Sequence, residues 1–472
     1  MKKILKYIML AVVTIVMASC TSDIEETTAT TGKSNVQLVV GEFPVFGDSQ
    51  TRAIGTPDPG KTSWAEGDEL LLKMTSKTLG TKYATFKYNG SSWELASGEL
   101  SYKIDEVPIF PHVYYAPNYK WEAGELVLKE GKVAGTDEYI EGKAQITGNG
   151  QGINVSFAKT TRNYSRLRIA TNPAINQGKP ITVTVKNFAP ANILDNVNCT
   201  YTLTPDAKGN VYLYGHFTYY STVSVKSGEY SLVDYEFDQV TKDGISYALN
   251  AYAIDANNMT ATEIENVIKK ELTEGKTDIK LILAPNAGKE VFDAIREALN
   301  GGTDGSIDLS LIGCKEIPAN GLNNEAGELE PLKSIFLPDV TTLGKRALIY
   351  CENLETVNAP KVTAIDQQAF YSCQRLEKVI LGTLTDVRGE AYSGDGIFNE
   401  IPFLNRNTDL YLPESQEIMQ GEFDENSNQY IWKPTGEKYF DCDDSGSGLF
   451  LDYQFRSVKK LGIKGSTIKF NS

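Results

Sequence analysis

Residues 332–387 read LKSIFLPDVTTLGKRALIYCENLETVNAPKVTAIDQQAFYSCQRLEKVILGTLTDV, and the stretch repeats itself every 22 residues. Leu332, Leu354 and Leu376 share one offset; Ile335, Val357 and Val379 share the next; Leu337, Ala359 and Leu381 a third. Val340, Val362 and Leu384 follow, then Leu343, Ile365 and Val387. Ala347–Leu348 recurs as Ala369–Phe370, and Cys351 as Cys373. Apolar positions at fixed offsets in so short a unit mean stacked coils, because one coil cannot bury its apolar face without a neighbour. Upstream, Leu309, Leu311, Ile317 and Leu322 precede Ile335, Leu337, Leu343 and Leu348 by 26, which predicts an earlier coil with four inserted residues. Downstream, Thr408–Pro413 repeats the strand and its trailing proline. The count is about five coils, above the roughly three that a stable stack needs.

Written out, the unit is L-x-x-I-x-L-P-x-V-x-x-L-G-x-x-A-L-x-x-C-x-x. It resembles the BspA-type leucine-rich repeats of bacterial surface proteins, above all in "LPDVTTLGKRALIYCENLETV" and "VTAIDQQAFYSCQRLEKV". If Ile335 and Leu337 point inward, strand alternation turns their neighbours outward. One outward column is then Ser310, Phe336, Asn358, Ile380 and Tyr411, and its companion is Asp308, Ser334, Thr356, Lys378 and Asp409. Aromatic and apolar residues in an outward column fit a binding face built on Phe336, Asn358, Lys378, Ile380 and Tyr411. The competing reading is that a neighbouring domain or a C-terminal segment covers the column.

At the start of the chain, Lys2, Lys3 and Lys6 precede an apolar run, Tyr7 to Met17, that ends in Ala18-Ser19-Cys20. This is the layout of a secretory signal and is too short to span a membrane. Cys20 after small residues resembles a bacterial lipobox, with Met17 where Leu is more usual. The resemblance implies cleavage after residue 19, lipid on the Cys20 thiol and an outer-membrane, surface-exposed lipoprotein. Acidic residues at Asp23, Glu25 and Glu26 resemble the surface-export signal of Bacteroidota lipoproteins, and residues 20–34 read as a tether.

A net charge of −15 and a pI near 4.9 argue against nucleic acid, which demands a basic footprint. A hydrophobic content of 41% supports folded domains, about three by length. Residues 35–240 are mostly β in pattern: Val36–Val40, Glu69–Met74, Ala84–Tyr88, Ile181–Val185 and Tyr230–Phe237 are short strand-like runs broken by turns such as Asn89-Gly90-Ser91. Many short strands predict β-sandwiches. "SWAEGDEL" at 63–70, "FKYNGSSWE" at 86–94, "YYAPNY" at 114–119 and "VSFAKTTRNYSRLRI" at 155–169 resemble the fimbrillin family of Bacteroidota pili. That likeness implies a transthyretin-like sandwich over roughly 35–190, with 190–240 either a second sandwich or an elaboration of the first. It also implies pilus subunits as partners. In fimbrillins a protease cuts after an arginine in the N-terminal arm, and Arg52 in "SQTRAIG" stands where such an arm would end.

Residues 243–305 carry helical signals. Thr262 is placed to cap a helix bearing Ile264, Val267, Ile268 and Leu272, Asp278–Leu283 reads as a strand, and Lys289–Asn300 as an amphipathic helix closed by Gly301-Gly302. A stack of coils needs an end cap, and this segment is assigned as the N-terminal one. The expected architecture is mainly β: a transthyretin-like sandwich region, a helix-containing cap, and an α/β leucine-rich-repeat solenoid over 306–472.

Chemistry-bearing motifs are few. Gly55–Thr62 matches the phosphate-loop pattern, but the strand-like Asp68–Met74 follows where a helix is required, so the match reads as chance. Asp441, Asp443, Ser445 and Asp452 have the spacing of an EF-hand calcium loop, with Asp where a bidentate Glu is usual; a solvated acidic turn explains them as well. His112 and His216 are the only histidines and read as structural. No nucleophile stands with an evident base. The sequence therefore predicts a non-enzymatic surface lipoprotein without cofactor. It is either an adhesin or pilus accessory subunit, or a stand-alone receptor that captures a glycan or protein from a host or neighbouring bacteria.

Overall fold

The computed structural model describes residues 37–48, 60–100, 109–146, 152–156, 162–322, 329–389, 407–427, 429–441, 449–451 and 453–461. The chain is mainly β. Its longest continuous feature is an eight-stranded parallel sheet, in which Ile254–Asp255, Asp278–Ile282, Ile307–Ile312, Leu332–Phe336, Thr356–Ala359, Lys378–Leu381, Asp409–Leu412 and Ser457–Lys460 lie side by side. The register is the one that the repeat dictates: Ile335 opposite Val357 opposite Val379, and Ser310 opposite Phe336 across the step of 26. After a longer excursion the chain returns with Ile380 opposite Tyr411. Glu316–Ile317, Thr342–Leu343, Ala364–Ile365 and Asp386–Arg388 make a second, narrower parallel ladder on the other wall of the stack.

Between the two walls lies a dry core. Leu337, Val340, Leu343, Leu348, Leu354 and their counterparts in the next coils are fully buried. Each such side chain contributes roughly 1.5–3 kcal/mol of apolar burial. Even the backbone repeats: Asn320, Arg346 and Gln368, at steps of 26 and 22, all hold positive φ (52°, 57° and 54°). Non-glycine residues take this conformation at a cost, which the inter-coil ladder offsets here: Asn320 N donates to Lys345 O and Arg346 N to Gln367 O. Cys351 and Cys373 are free, fully buried thiols inside the coils. Burial pushes both up, Cys373 to about 12, so neither is reactive.

The segment assigned from sequence as the cap contains helix Ala261–Thr273, strand Asp278–Ile282 and helix Lys289–Leu299. The expected N-cap was two residues late: Thr260 is the cap, its hydroxyl accepting from Glu263 N while Glu263 reaches back to Thr260 N. This reciprocal capping box explains why the helix starts earlier than the apolar spacing indicates.

Before the cap stand two seven-stranded sheets. The first runs in the order 37–40, 152–156, 140–146, 109–115, 69–76, 80–88, 93–98. The second contains 197–203, 181–190, 210–227, 165–171, 245–251 and 47–48, with Tyr230–Glu236 paired to the long strand Asn210–Ser227. Strand Ile245–Ala251 lies parallel to Ser165–Thr171, so this region continues past the expected boundary near residue 240. The segment 37–48 joins both sheets. Gln37–Val40 lies parallel to Gly152–Ser156 at the edge of the first, and Gly47–Asp48 parallel to Ile245–Ser246 at the edge of the second. Between these two strands the chain is irregular, and the rings of Phe43 and Phe46 plug the core between the sheets.

The second sheet is covered on both faces. Leu167 and Ile169 share a cluster with Ile282 and Ile312 of the parallel sheet, while Tyr164 and Tyr214 pack with the first sheet. The layer between the first two sheets is aromatic and charged. Arg162 donates to both oxygens of Glu138, at 3.1 and 2.8 Å, and Tyr164 to Glu138 at 2.5 Å. The Phe46 ring lies 4.0 Å from the Arg162 guanidinium carbon. Among the described residues Arg162 Nη1 has no hydrogen-bond partner, and the guanidinium carbon also lies 5.9 Å from the centre of the Phe43 ring.

Candidate functional site

The expected binding face lies on the broad wall of the parallel sheet, and its placement corrects the expectation of exposure. Phe336, Asn358, Ile380 and Tyr411 do share one column pointing away from the coil interior, in the expected register. All four are nonetheless buried, Ile380 completely and Phe336 to 8% exposure. The ribbon of Asn210–Ser227 and Tyr230–Glu236 lies against this wall. Tyr230 packs on Gly313, where a Cβ would sit 3.2 Å from its ring, and Glu236 lies close enough to Lys378 for the two charges to interact. Ile282 and Ile312 join the core of the second sheet. The column is thus buried and not a free face.

The companion column behaves differently. Asp308, Ser334, Thr356 and Lys378 remain partly exposed along the margin. Ser334 donates to Asp308, whose carboxyl is raised above the usual range by burial and by neighbouring Asp278, against the effect of that hydrogen bond. Lys378 places its ammonium 5.1 Å from the Tyr411 ring, and Lys459 covers the same ring at 5.3 Å. Asp409 then gathers cations: Arg456 donates to both its oxygens at 2.8 and 2.6 Å, with Ser457 at 2.7 Å and Lys459 at 3.0 Å. Burial opposes its charge, but these donors outweigh it and hold Asp409 well below the ordinary carboxylate range. The arrangement closes the C-terminal end of the sheet, where Ser457–Lys460 is the last strand. It offers polar hydrogen-bonding groups along a margin and no acid–base pair.

Elsewhere the expected sites come together less. Asp441 ends a short 3-10 turn, whereas Asp443, Ser445 and Asp452 lie outside the described residues, as do Cys20 and Arg52. Among the described residues no group of three or more His, Cys, Asp or Glu side chains is placed to hold a metal. Lys61 of the phosphate-loop match pairs with Asp68 at 2.6 Å, and a strand follows it. His112 stands 3.0 Å from Glu141 and His216 3.6 Å from Asp243, both at the surface.

Residues 324–412 match the family described as BspA type leucine rich repeat region. That stretch is therefore a leucine-rich-repeat region of the BspA type, and it covers the strands whose register is given above. No curated protein matches the chain.

Proposed function

We propose that the protein is a surface lipoprotein of the adhesin type, anchored through Cys20 and without catalytic activity, in which the repeat stack presents a rigid surface to a protein or glycan partner. The observation that carries this reading is the BspA-type repeat region at 324–412, folded as stacked parallel coils. Because Phe336, Ile380 and Tyr411 are covered, the contact is reassigned to the half-exposed margin at Ser334, Thr356 and Lys378. Immunogold microscopy with antibody to the repeat region tests the location. Label on intact cells is expected, and label confined to permeabilised cells would overturn the reading.

A second reading, that the chain is a pilus accessory subunit and not a stand-alone receptor, draws support from the N-terminal arm. Segment 37–48 supplies an edge strand to each of two sheets, both in parallel pairing, and buries Phe43 and Phe46. Removal after Arg52 would strip both edges and leave an apolar groove for a strand donated by another subunit. Cleavage would also free the body from the Cys20 lipid, which a permanently anchored receptor could not tolerate. N-terminal sequencing decides. A start at Ala53 in sheared filaments favours the pilus reading; lipid-modified Cys20 in every fraction favours the receptor.

A further inference from the structure

Strand Val197–Leu203 ends the second sheet, and among the described residues its one strand neighbour is Ile181–Pro190. An outer strand presents unpaired backbone N–H and C=O groups on its free side, and natural sheets guard such rows with charges, prolines or shortness. Outer strands elsewhere in the chain follow this rule. Trp93–Gly98 carries Glu94, Glu417–Asp424 carries Glu417, Glu422 and Asp424, and Ser457–Lys460 carries Lys459 and Lys460. Gln37–Val40 is uncharged but only four residues long. Val197–Leu203 has none of these guards. It is seven residues long and lies within a run, Asn196 to Pro205, that holds no Asp, Glu, Lys or Arg, in a chain of which 23% is charged.

Its side chains alternate. Asn198, Thr200 and Thr202 are exposed, Val197, Cys199 and Leu203 are half-buried, and Tyr201 is buried. The pattern is symmetric about Thr200. Two such strands laid antiparallel across a two-fold axis at Thr200 keep every side chain on its own face. Val197 then meets the second copy's Leu203 on the half-buried face, and Asn198 meets the second copy's Thr202 on the exposed one. At the axis the two Thr200 side chains face each other. Threonine pairs of this kind are favourable, and no pair along the seam brings like charges together. Thr200 already makes such a contact within the chain, its Oγ1 lying 3.1 Å from Thr184 Oγ1 on the neighbouring strand.

We propose that the protein associates with a second copy of itself through this strand, joining two copies of the second sheet into one continuous sheet. Main-chain hydrogen bonds supply the attraction, and the uncharged seam lets two chains of net charge −15 meet without a like-charge contact there. The strand lies outside the repeat region, so the proposal stands or falls apart from the adhesin reading. Analytical ultracentrifugation of the full chain under reducing conditions tests it, and a concentration-dependent dimer is expected. Thr200→Lys sets two ammonium groups against each other and should weaken the dimer at least tenfold with an unchanged melting temperature. Mixing that variant with Thr200→Glu should restore association. Oxidation reads the register. Thr200→Cys sets two thiols across the axis at a Cα separation of about 5 Å, within bridging range, and should give a disulfide-linked dimer. Thr202→Cys, whose thiols would stand more than about 13 Å apart along the seam, should not. A monomer at every concentration, wild-type association of Thr200→Lys, failure of the mixture to associate, or equal cross-linking of both cysteine variants would each overturn the proposal.

Discussion

The repeat stack and the two-sheet region before it bury their interiors by different means. Inside the stack the core is apolar and largely aliphatic: Val357, Val379, Leu381 and Val387 share one cluster with the repeat leucines, Phe370 and Trp432. Between the two N-terminal sheets the interior holds Arg162, Glu138, Tyr164 and Tyr214 beside Phe43 and Phe46. The first kind of core is tolerant, because neighbouring coils supply interchangeable contacts. The second is specific, because the buried Arg162 cation depends on the Glu138 carboxylate, which Tyr164 also holds. Where the two regions meet, the parallel sheet lends Ile282 and Ile312 to the core of the second sheet, and Phe336, Ile380 and Tyr411 of the same sheet are buried as well.

That meeting line is where the comparison breaks most easily. Replacing Phe336, Ile380 and Tyr411 together with Ser should lower the melting temperature by more than about 10 °C, since each buried apolar-to-polar change costs roughly 2–4 kcal/mol. Near-wild-type melting would mean that the column does not contribute to the folded core. Within the charged layer, Glu138→Gln should cost about 3–5 kcal/mol, because it leaves the buried Arg162 cation without its carboxylate. Urea denaturation measures it. A loss below about 1 kcal/mol would show that Arg162 finds compensation elsewhere.

The inward positions of the stack were legible because period and register are one fact in a repeat: once Ile335 faces in, so must Val357 and Val379. The steps to Ser310 and to Tyr411 followed from the same columns. The burial of the outward column was not legible, since no local pattern around Phe336, Ile380 or Tyr411 marks these outward positions as interior. The strand Ser165–Thr171 misleads in another way. Arg166 and Arg168 alternate with Leu167 and Ile169, as in a strand with one wet face, yet all four are buried because the sheet is covered on both sides. The Glu138–Arg162 pair gave no sequence signal beyond the family-like wording around residue 162.

A subtler difference between the regions is pH dependence. Desolvation chiefly raises the Asp137 carboxyl to about 6 from its ordinary 3.8; neighbouring Glu138 adds to this, while the hydrogen bond from Glu138 N opposes it. A raised folded-state value means that the folded protein binds the proton more tightly than the unfolded chain. The resulting stability is complete below about pH 4 and is lost as pH rises through about 6. Asp137→Asn keeps the acceptor for Glu138 N and cannot ionise. It should therefore stabilise the protein by up to about 3 kcal/mol at pH 7 and by almost nothing at pH 4. Melting curves of both proteins at the two pH values test this, and an equal shift at both would remove Asp137 as the titrating group.

The smallest effect sharpens the comparison at the cap that begins the stack. Two threonines compete for the start of helix Ala261–Thr273, and only Thr260 has the geometry: its Oγ1 is 3.3 Å from Glu263 N, and Glu263 returns a carboxylate to Thr260 N at 2.8 Å. Thr262 lies one residue inside the helix, where a hydroxyl has no orphan amide to satisfy. Thr260→Ala should cost about 1 kcal/mol, and Thr262→Ala should stay within about 0.5 kcal/mol of wild type. Hydrogen exchange is the better measurement, because fraying of one terminal turn speeds the amides near Glu263 before it moves global unfolding. Faster exchange there in Thr260→Ala, with strands Ile307–Ile312 and Leu332–Phe336 unchanged, is the expected pattern. If exchange quickened equally along both strands, helix and stack would unfold as one unit, and the cap would be as cooperative as the coils it covers.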